Sequence, residues 1–112
     1  MRKLWIVAAI LLSLMPVFGQ PHQQANKAFT IAVGDHKATL TWNASTSTGV
    51  VGYKVYRSTV NGGPYTIINT LPSLTYTDHQ VNPGTTYYYV VTAYDSTAEG
   101  NFSTQVSGTI PQ

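Results

Sequence analysis

From Phe29 onward, apolar and polar residues alternate with period two, and no stretch in that span carries a helical repeat. Phe29-Thr30-Ile31-Ala32-Val33 reads as a first strand, and Gly34-Asp35 as a turn. Ala38, Leu40 and Trp42 then share one face of a second strand, because side chains along a strand point alternately to opposite faces. Val51 to Arg57 forms a third, with Tyr53 and Val55 inward. Asn61-Gly62-Gly63-Pro64 is a strong turn signal, followed by short strands over Tyr65–Asn69 and Leu74–Thr77. Pro83-Gly84 makes another turn, Pro presetting φ and Gly tolerating a positive one. The β-branched and aromatic run Thr85–Tyr94 after it is the central strand. Its inner face holds Tyr87, Tyr89, Val91 and Ala93, and its outer face Tyr88, Val90, Thr92 and Tyr94. Ser103–Ile110 closes the set, and Tyr76 is expected in the core. Seven short strands with frequent turns mean an all-β sandwich or barrel.

The first residues break this pattern. Arg2 and Lys3 precede an apolar run from Leu4 to Met15, short of the roughly 20 residues of a membrane span. Val17-Phe18-Gly19 suits a cut before Gln20, so residues 1–19 read as a secretory signal peptide, with an uncleaved anchor as the alternative. Residues 20–27 are polar and read as a flexible leader, and 28–112 as the folded domain. Without Arg2 and Lys3, the cations Lys27, Lys37, Lys54 and Arg57 balance Asp35, Asp78, Asp95 and Glu99. A neutral domain has no electrostatic footprint for nucleic acid or an anionic membrane. There is no cysteine, so neither disulfides nor a lipid-modified cysteine enter, and the core alone must hold the fold. A domain of this size buries upwards of about 60% of its unfolded surface.

The order of residues resembles a fibronectin type III domain over Phe29–Pro111. Leu40-Thr41-Trp42 sits where that family keeps the Trp of its strand B, and Gly52-Tyr53-Lys54-Val55 resembles its strand C. Val81-Asn82-Pro83-Gly84-Thr85-Thr86-Tyr87 is similar to its entry into strand F, with Tyr87 matching the tyrosine corner. The resemblance implies a seven-stranded immunoglobulin-like β-sandwich of fibronectin type III topology, with sheets A-B-E and C′-C-F-G. Trp42, Tyr53, Val55, Tyr76, Pro83, Tyr87, Tyr89 and Val91 are then structural. Some members carry an Arg-Gly-Asp adhesion motif between strands F and G; Asp95–Asn101 has none here.

No catalytic motif is present: no Gly-x-Ser-x-Gly, no phosphate-cradling glycine loop, no His-Glu-x-x-His, and no paired acids. The chain is expected not to be an enzyme and to need no cofactor. Two features bear on binding. Asp35-His36 and Asp78-His79 are brought to one pole if strands B and E pair, where two imidazoles and two carboxylates offer a metal such as zinc a ligand set. The plainer alternative is turn chemistry, with Lys37 pairing with Asp78. The second feature is aromatic. All eight Tyr fall between Tyr53 and Tyr94; Tyr56 and Tyr88 are expected outward on neighbouring strands beside Lys54 and Val90, with Tyr65 joining them. Tyr offers a flat apolar body and a polar tip, which suits a sugar ring or a protein, although cross-strand packing explains such pairs without a ligand and is the plainer reading. The loops Asn43–Gly49 and Asp95–Asn101 are small and polar, and Asn43-Ala44-Ser45 and Asn101-Phe102-Ser103 match the N-glycosylation pattern.

The expected function is a secreted, non-catalytic binding or adhesion module, extracellular, periplasmic or at the cell surface, in contact with a protein. Carbohydrate binding on the Tyr face and a spacer without a ligand are the alternatives. The domain is expected to be a monomer, and any enzyme it serves to be a separate chain.

Overall fold

The computed structural model describes residues 29–112. The expected signal peptide and leader lie outside the described residues. The strands are β1 (Thr30–Gly34), β2 (Lys37–Thr41), β3 (Gly52–Ser58), β4 (Thr66–Leu71), β5 (Thr75–Asp78), β6 (Thr86–Tyr94) and β7 (Val106–Thr109). They form two antiparallel sheets, β1-β2-β5 and β4-β3-β6-β7. This is the A-B-E and C′-C-F-G arrangement implied by the resemblance, and no helix occurs among the described residues.

The core follows the period-two pattern. Ala38 and Leu40 from β2, Tyr53 and Val55 from β3, and Tyr87, Tyr89, Val91 and Ala93 from β6 are buried between the sheets. Trp42 lies just past the end of β2, with its ring edge-on to Phe29 at 6.1 Å and near Tyr53 at 5.8 Å. Its backbone N–H donates to Leu74 O at 3.0 Å, which carries the pairing of the two strands one residue beyond β2. Tyr76 is only partly buried, packed against this core from β5.

Most strand ends shift by one or two residues from the sequence reading, as β4 does from Tyr65–Asn69 to Thr66–Leu71, and two differences have a local reason. The first turn is Asp35-His36, not Gly34-Asp35, and His36 adopts a φ of 56°. The last strand begins at Val106 rather than Ser103. Between Glu99 and Ser103 the chain still follows β6, but irregularly: Gly100 N–H donates to Ala93 O at 2.8 Å, and Ser103 N–H to Val91 O at 2.8 Å. Val91 N–H meanwhile donates to Ser103 Oγ at 2.9 Å, so a side chain replaces one rung of the ladder.

Residues 82–85 close as the turn that Pro83-Gly84 demands. Thr85 N–H donates to Asn82 O at 3.3 Å, and Gly84 holds a φ of 77°, which a side chain disfavours. Immediately beyond it, Asn82 N–H donates to the Tyr87 hydroxyl at 2.9 Å. This is the tyrosine corner, and it supplies a partner for a backbone donor at the entry to the longest strand.

The outer face of β6 does not behave as alternation predicts. Val90 is 2% exposed and Thr92 1%. Val90 pairs with Tyr56 of β3, and the segment carrying Phe102 lies on the other side of β6. The rings of Tyr56 and Phe102 meet at 5.1 Å, and that of Tyr65 reaches Phe102 at 5.4 Å. Buried beside Tyr56, Val90 is part of the packing and offers no surface as a contact residue, contrary to the expectation.

Candidate functional site

The metal reading fails at Asp78. It does lie beside the β1–β2 turn, since Ala38 pairs with Asp78 across β2 and β5. But Asp78 is 1% exposed, and its carboxylate is filled from within. Arg57 Nη1 donates to it at 2.7 Å, Tyr89 Oη at 2.8 Å and Gln80 N–H at 3.0 Å. Asp35, His36 and His79 are exposed. Among the described residues no three His, Asp or Glu side chains group to hold a metal ion. The cation on Asp78 is therefore Arg57, reaching across from the other sheet, in place of Lys37.

This cluster joins the two sheets. Asp78 belongs to β1-β2-β5, while Arg57 and Tyr89 belong to β4-β3-β6-β7. Arg57 also donates to Gln80 O at 3.1 Å and lies over the Tyr87 ring at 5.5 Å. Burial, reinforced by the Asp78 carboxylate, pushes the Tyr89 phenol far above its ordinary range. For Arg57, burial acts to lower the pKa, but the hydrogen bond to Asp78 and its charge outweigh it and hold the guanidinium above its ordinary value.

On the opposite surface of the four-stranded sheet lies the aromatic face. Tyr56 sits at its centre, paired with Ile67 of β4 and Val90 of β6. Phe102, 50% exposed, stands edge-on to both Tyr56 and Tyr65. Ile67 is also exposed beside them. Tyr56 and Tyr65 are thus brought together, but through Phe102. Tyr88 shares this face one cross-strand pair further along, opposite Ser58 and Ser107.

A polar rim fixes these rings. The Tyr56 hydroxyl donates to Glu99 Oε2, as does Thr92 Oγ1 at 2.7 Å. Lys54 Nζ lies 3.4 Å from Glu99 Oε1 and 5.2 Å from the centre of the Tyr94 ring. Burial, then the hydrogen bond to Glu99 and its charge, push the Tyr56 phenol up to about 12. Burial works to raise the Glu99 pKa, but the bonds from Tyr56 and Thr92 and the charge of Lys54 outweigh it and hold the carboxyl below its ordinary range. On the other flank, the Tyr65 hydroxyl and Gly62 N–H both donate to Gln105 Oε1, the latter at 2.9 Å.

Phe102, Glu99, Thr92 and Gln105 were not singled out as site residues from the sequence. The hydrogen bonds of Glu99 and Gln105 reach positions 40 to 45 residues away, and no local period marks them. The one available signal was Phe102 itself, a large aromatic in an otherwise small, polar stretch.

The polar loops are tied down by hydrogen bonds, one within itself and the other to β3. Asp95 Oδ1 accepts from Thr97 N–H and Ala98 N–H, both at 2.8 Å, and Ser45 N–H donates to the Tyr53 hydroxyl at 2.9 Å. Beside the Asn43–Gly49 loop a hollow of about 400 Å³ is lined by Ser45, Val51, Tyr53, Pro72 and Leu74.

The model of the fibronectin type III domain matches residues 20–109. An amylopullulanase of Thermoanaerobacter thermohydrosulfuricus is 44% identical over 71 residues, which cover 62% of this chain and 4% of that protein. Endoglucanase B of Cellulomonas fimi is 43% identical over 68 residues, 59% of this chain and 6% of that protein. The chain therefore spans a small fraction of the curated relatives it matches. Among solved structures, an Fn3-like protein from Clostridium thermocellum superposes with a TM-score of 0.64 at 40% identity, over 76% of this chain and 94% of that one. A β-1,2-glucanase from Parabacteroides distasonis gives 0.70 at 25% identity, over 80% of this chain and 13% of that one.

Proposed function

The chain belongs to the fibronectin type III family, and from that premise we propose that it is a non-catalytic module acting outside the cell, whose β4-β3-β6-β7 face docks against another protein. The observation that carries the reading is Phe102, half exposed yet held edge-on between Tyr56 and Tyr65. The two tyrosine hydroxyls are anchored on Glu99 and Gln105, so little side-chain entropy is left to lose on binding. A fixed aromatic anchor inside a polar rim is the composition of an interface hot spot. Matched stretches that make up 4% and 6% of proteins named as an amylopullulanase and an endoglucanase support an accessory role in place of a catalytic one. The signal-like residues 1–19 support export.

Carbohydrate contact is the second reading, favoured by the names of those relatives and by the open ring of Phe102. One experiment separates the two. The full chain and its Phe102→Ala variant, both shown folded by thermal melt, are used to capture proteins from the source's secreted fraction and to probe a glycan array. A protein identified by mass spectrometry, rebound in purified form and lost with Phe102→Ala, supports the protein-contact reading. A glycan signal lost in the same variant moves the conclusion to carbohydrate. Retention independent of Phe102 overturns the placement of the site on this face.

A further inference from the structure

Asn61-Gly62 is the dipeptide in which an asparagine side chain is most easily attacked by the following backbone nitrogen. Gly62 has no side chain to obstruct that nitrogen, and asparagine is a thermolabile residue for this reason. The pair occupies the centre of an exposed β-turn closed by Gly63 N–H donating to Val60 O at 2.9 Å, with Gly62 at a φ of 88°. Left to itself, such a turn exposes both reacting groups to water.

Here both are held by one side chain. Gly62 N–H, the future nucleophile, donates to Gln105 Oε1 at 2.9 Å. Asn61 Oδ1, on the carbon to be attacked, accepts from Gln105 Nε2 at 2.8 Å. The amide orientations are fixed by chemistry: a backbone N–H can only donate, so the Gln105 oxygen faces Gly62 and its nitrogen faces Asn61. Asn61 must then accept through its oxygen. The Tyr65 hydroxyl donates to the same Gln105 oxygen and holds the clamp in place. Gln105 lies just before β7 and the turn between β3 and β4, so the clamp is a tertiary contact that exists only in the folded chain.

We propose that Asn61-Gly62 is a latent deamidation site kept closed by Gln105. In the reaction the Gly62 nitrogen loses its proton to a solvent base and attacks Asn61 Cγ. The N–Cγ bond forms, the Cγ–Nδ2 bond breaks, and ammonia leaves with a proton from water. The resulting succinimide is opened by a second water at either carbonyl, giving aspartate or isoaspartate. Gln105 opposes the first step twice, by engaging the N–H that must be lost and by tying the side chain away from free rotation toward the nitrogen. The site adjoins Tyr65, so isoaspartate, which lengthens the backbone by one carbon, would be introduced at the border of the aromatic face.

The test compares rates in mildly alkaline buffer, read by peptide mapping with quantification of aspartate and isoaspartate at position 61. The samples are the full chain, its Gln105→Met and Gln105→Glu variants, and a free synthetic peptide spanning residues 58–66. The full chain is expected to react more slowly than the peptide. Gln105→Met, which keeps the volume and loses both bonds, is expected to react roughly tenfold faster than the full chain, the factor that one to two hydrogen bonds are worth. Gln105→Glu keeps the acceptor for Gly62 and loses the donor for Asn61, and is expected to fall between them. Hydrogen exchange on the variants separates clamp loss from unfolding: faster deamidation with β6 amides still protected supports the proposal. If the intact chain deamidates as fast as the peptide, or if Gln105→Met is no faster than the intact chain, the proposal is overturned. A variant that unfolds is replaced by Tyr65→Phe, which removes one support of the clamp and must then accelerate the reaction by a smaller factor.

Discussion

Two clusters in this domain are built from the same parts and do opposite things. Between the sheets, the Asp78 carboxylate receives Tyr89, Arg57 and a backbone N–H. On the outer face, the Glu99 carboxylate receives Tyr56, Thr92 and Lys54. Each is an acid, a cation and a tyrosine. The Asp78 side chain is 2% exposed, and Glu99 is 31% exposed. That difference in solvent access decides their roles. Asp78 has no alternative partner, so its bonds are conditions of folding. Glu99 can exchange its partners for water or a ligand at small cost, and so can sit at a binding face. Composition alone does not distinguish a structural tie from a recognition rim; the sheet that covers one of them does.

The comparison predicts its largest effect at Arg57. Arg57→Met should destabilise the domain by about 3 kcal/mol in urea unfolding at neutral pH, because it leaves Asp78 buried with its cation gone. Adding Asp78→Leu should recover most of that loss, since the double change removes the uncompensated charge as well. If the single change costs no more than a surface ion pair, under about 1 kcal/mol, the two clusters are energetically alike and the distinction collapses. A smaller effect is expected for Tyr87→Phe, whose ring lies under Arg57 and whose hydroxyl serves Asn82 N–H. Losing that one bond should cost about 1–2 kcal/mol, with no change in any binding that depends on the outer face.

Phe102→Ala should reverse the ratio. Half of this ring is in solvent and its two edge contacts are peripheral, so the melt should register about 1 kcal/mol or less. Affinity for a partner docked on the face should fall by at least about tenfold. A variant that loses stability in proportion to binding would place Phe102 with the structural cluster instead.

Much of this architecture is legible in the sequence because strand pairing leaves a local trace. The alternation through β6 marks Tyr87, Tyr89, Val91 and Ala93 as inward, and the turn chemistry of Pro83-Gly84 locates the strand's entry. What was not legible is non-local. Val90 and Thr92 alternate outward, yet are buried, on a face where Phe102 meets Tyr56 and where Glu99, from a loop, accepts from Thr92. Asp78 beside His79 looks like a turn acid or a ligand; only the approach of Arg57 from the facing sheet makes it interior. The pairing of Tyr56 with Glu99 has no period to betray it, since one stands in a strand and the other in a loop.

The smallest effect is also the most selective probe of the outer cluster. Tyr56 should ionise near 12, against an ordinary phenol at 10.0, with burial as the first cause and Glu99 as the second. Because the folded pKa lies above the unfolded one, the neutral phenol contributes its stability in full below about pH 10, and that contribution is lost as pH rises toward about 12. Glu99 is shifted the other way. Its contribution is present above its ordinary pKa of 4.5 and is lost as pH falls through the lower folded value. Between these limits the rim is intact. Glu99→Gln keeps an acceptor for the Tyr56 hydroxyl but removes the charge, so the phenol should titrate lower while still above 10.0, because burial remains. Chemical-shift titration of ring-labelled tyrosine reads this directly. A Tyr56 that ionises at the ordinary value in the intact chain would mean that solvent has already opened the rim. The two carboxylates would then differ even more sharply than their exposures suggest.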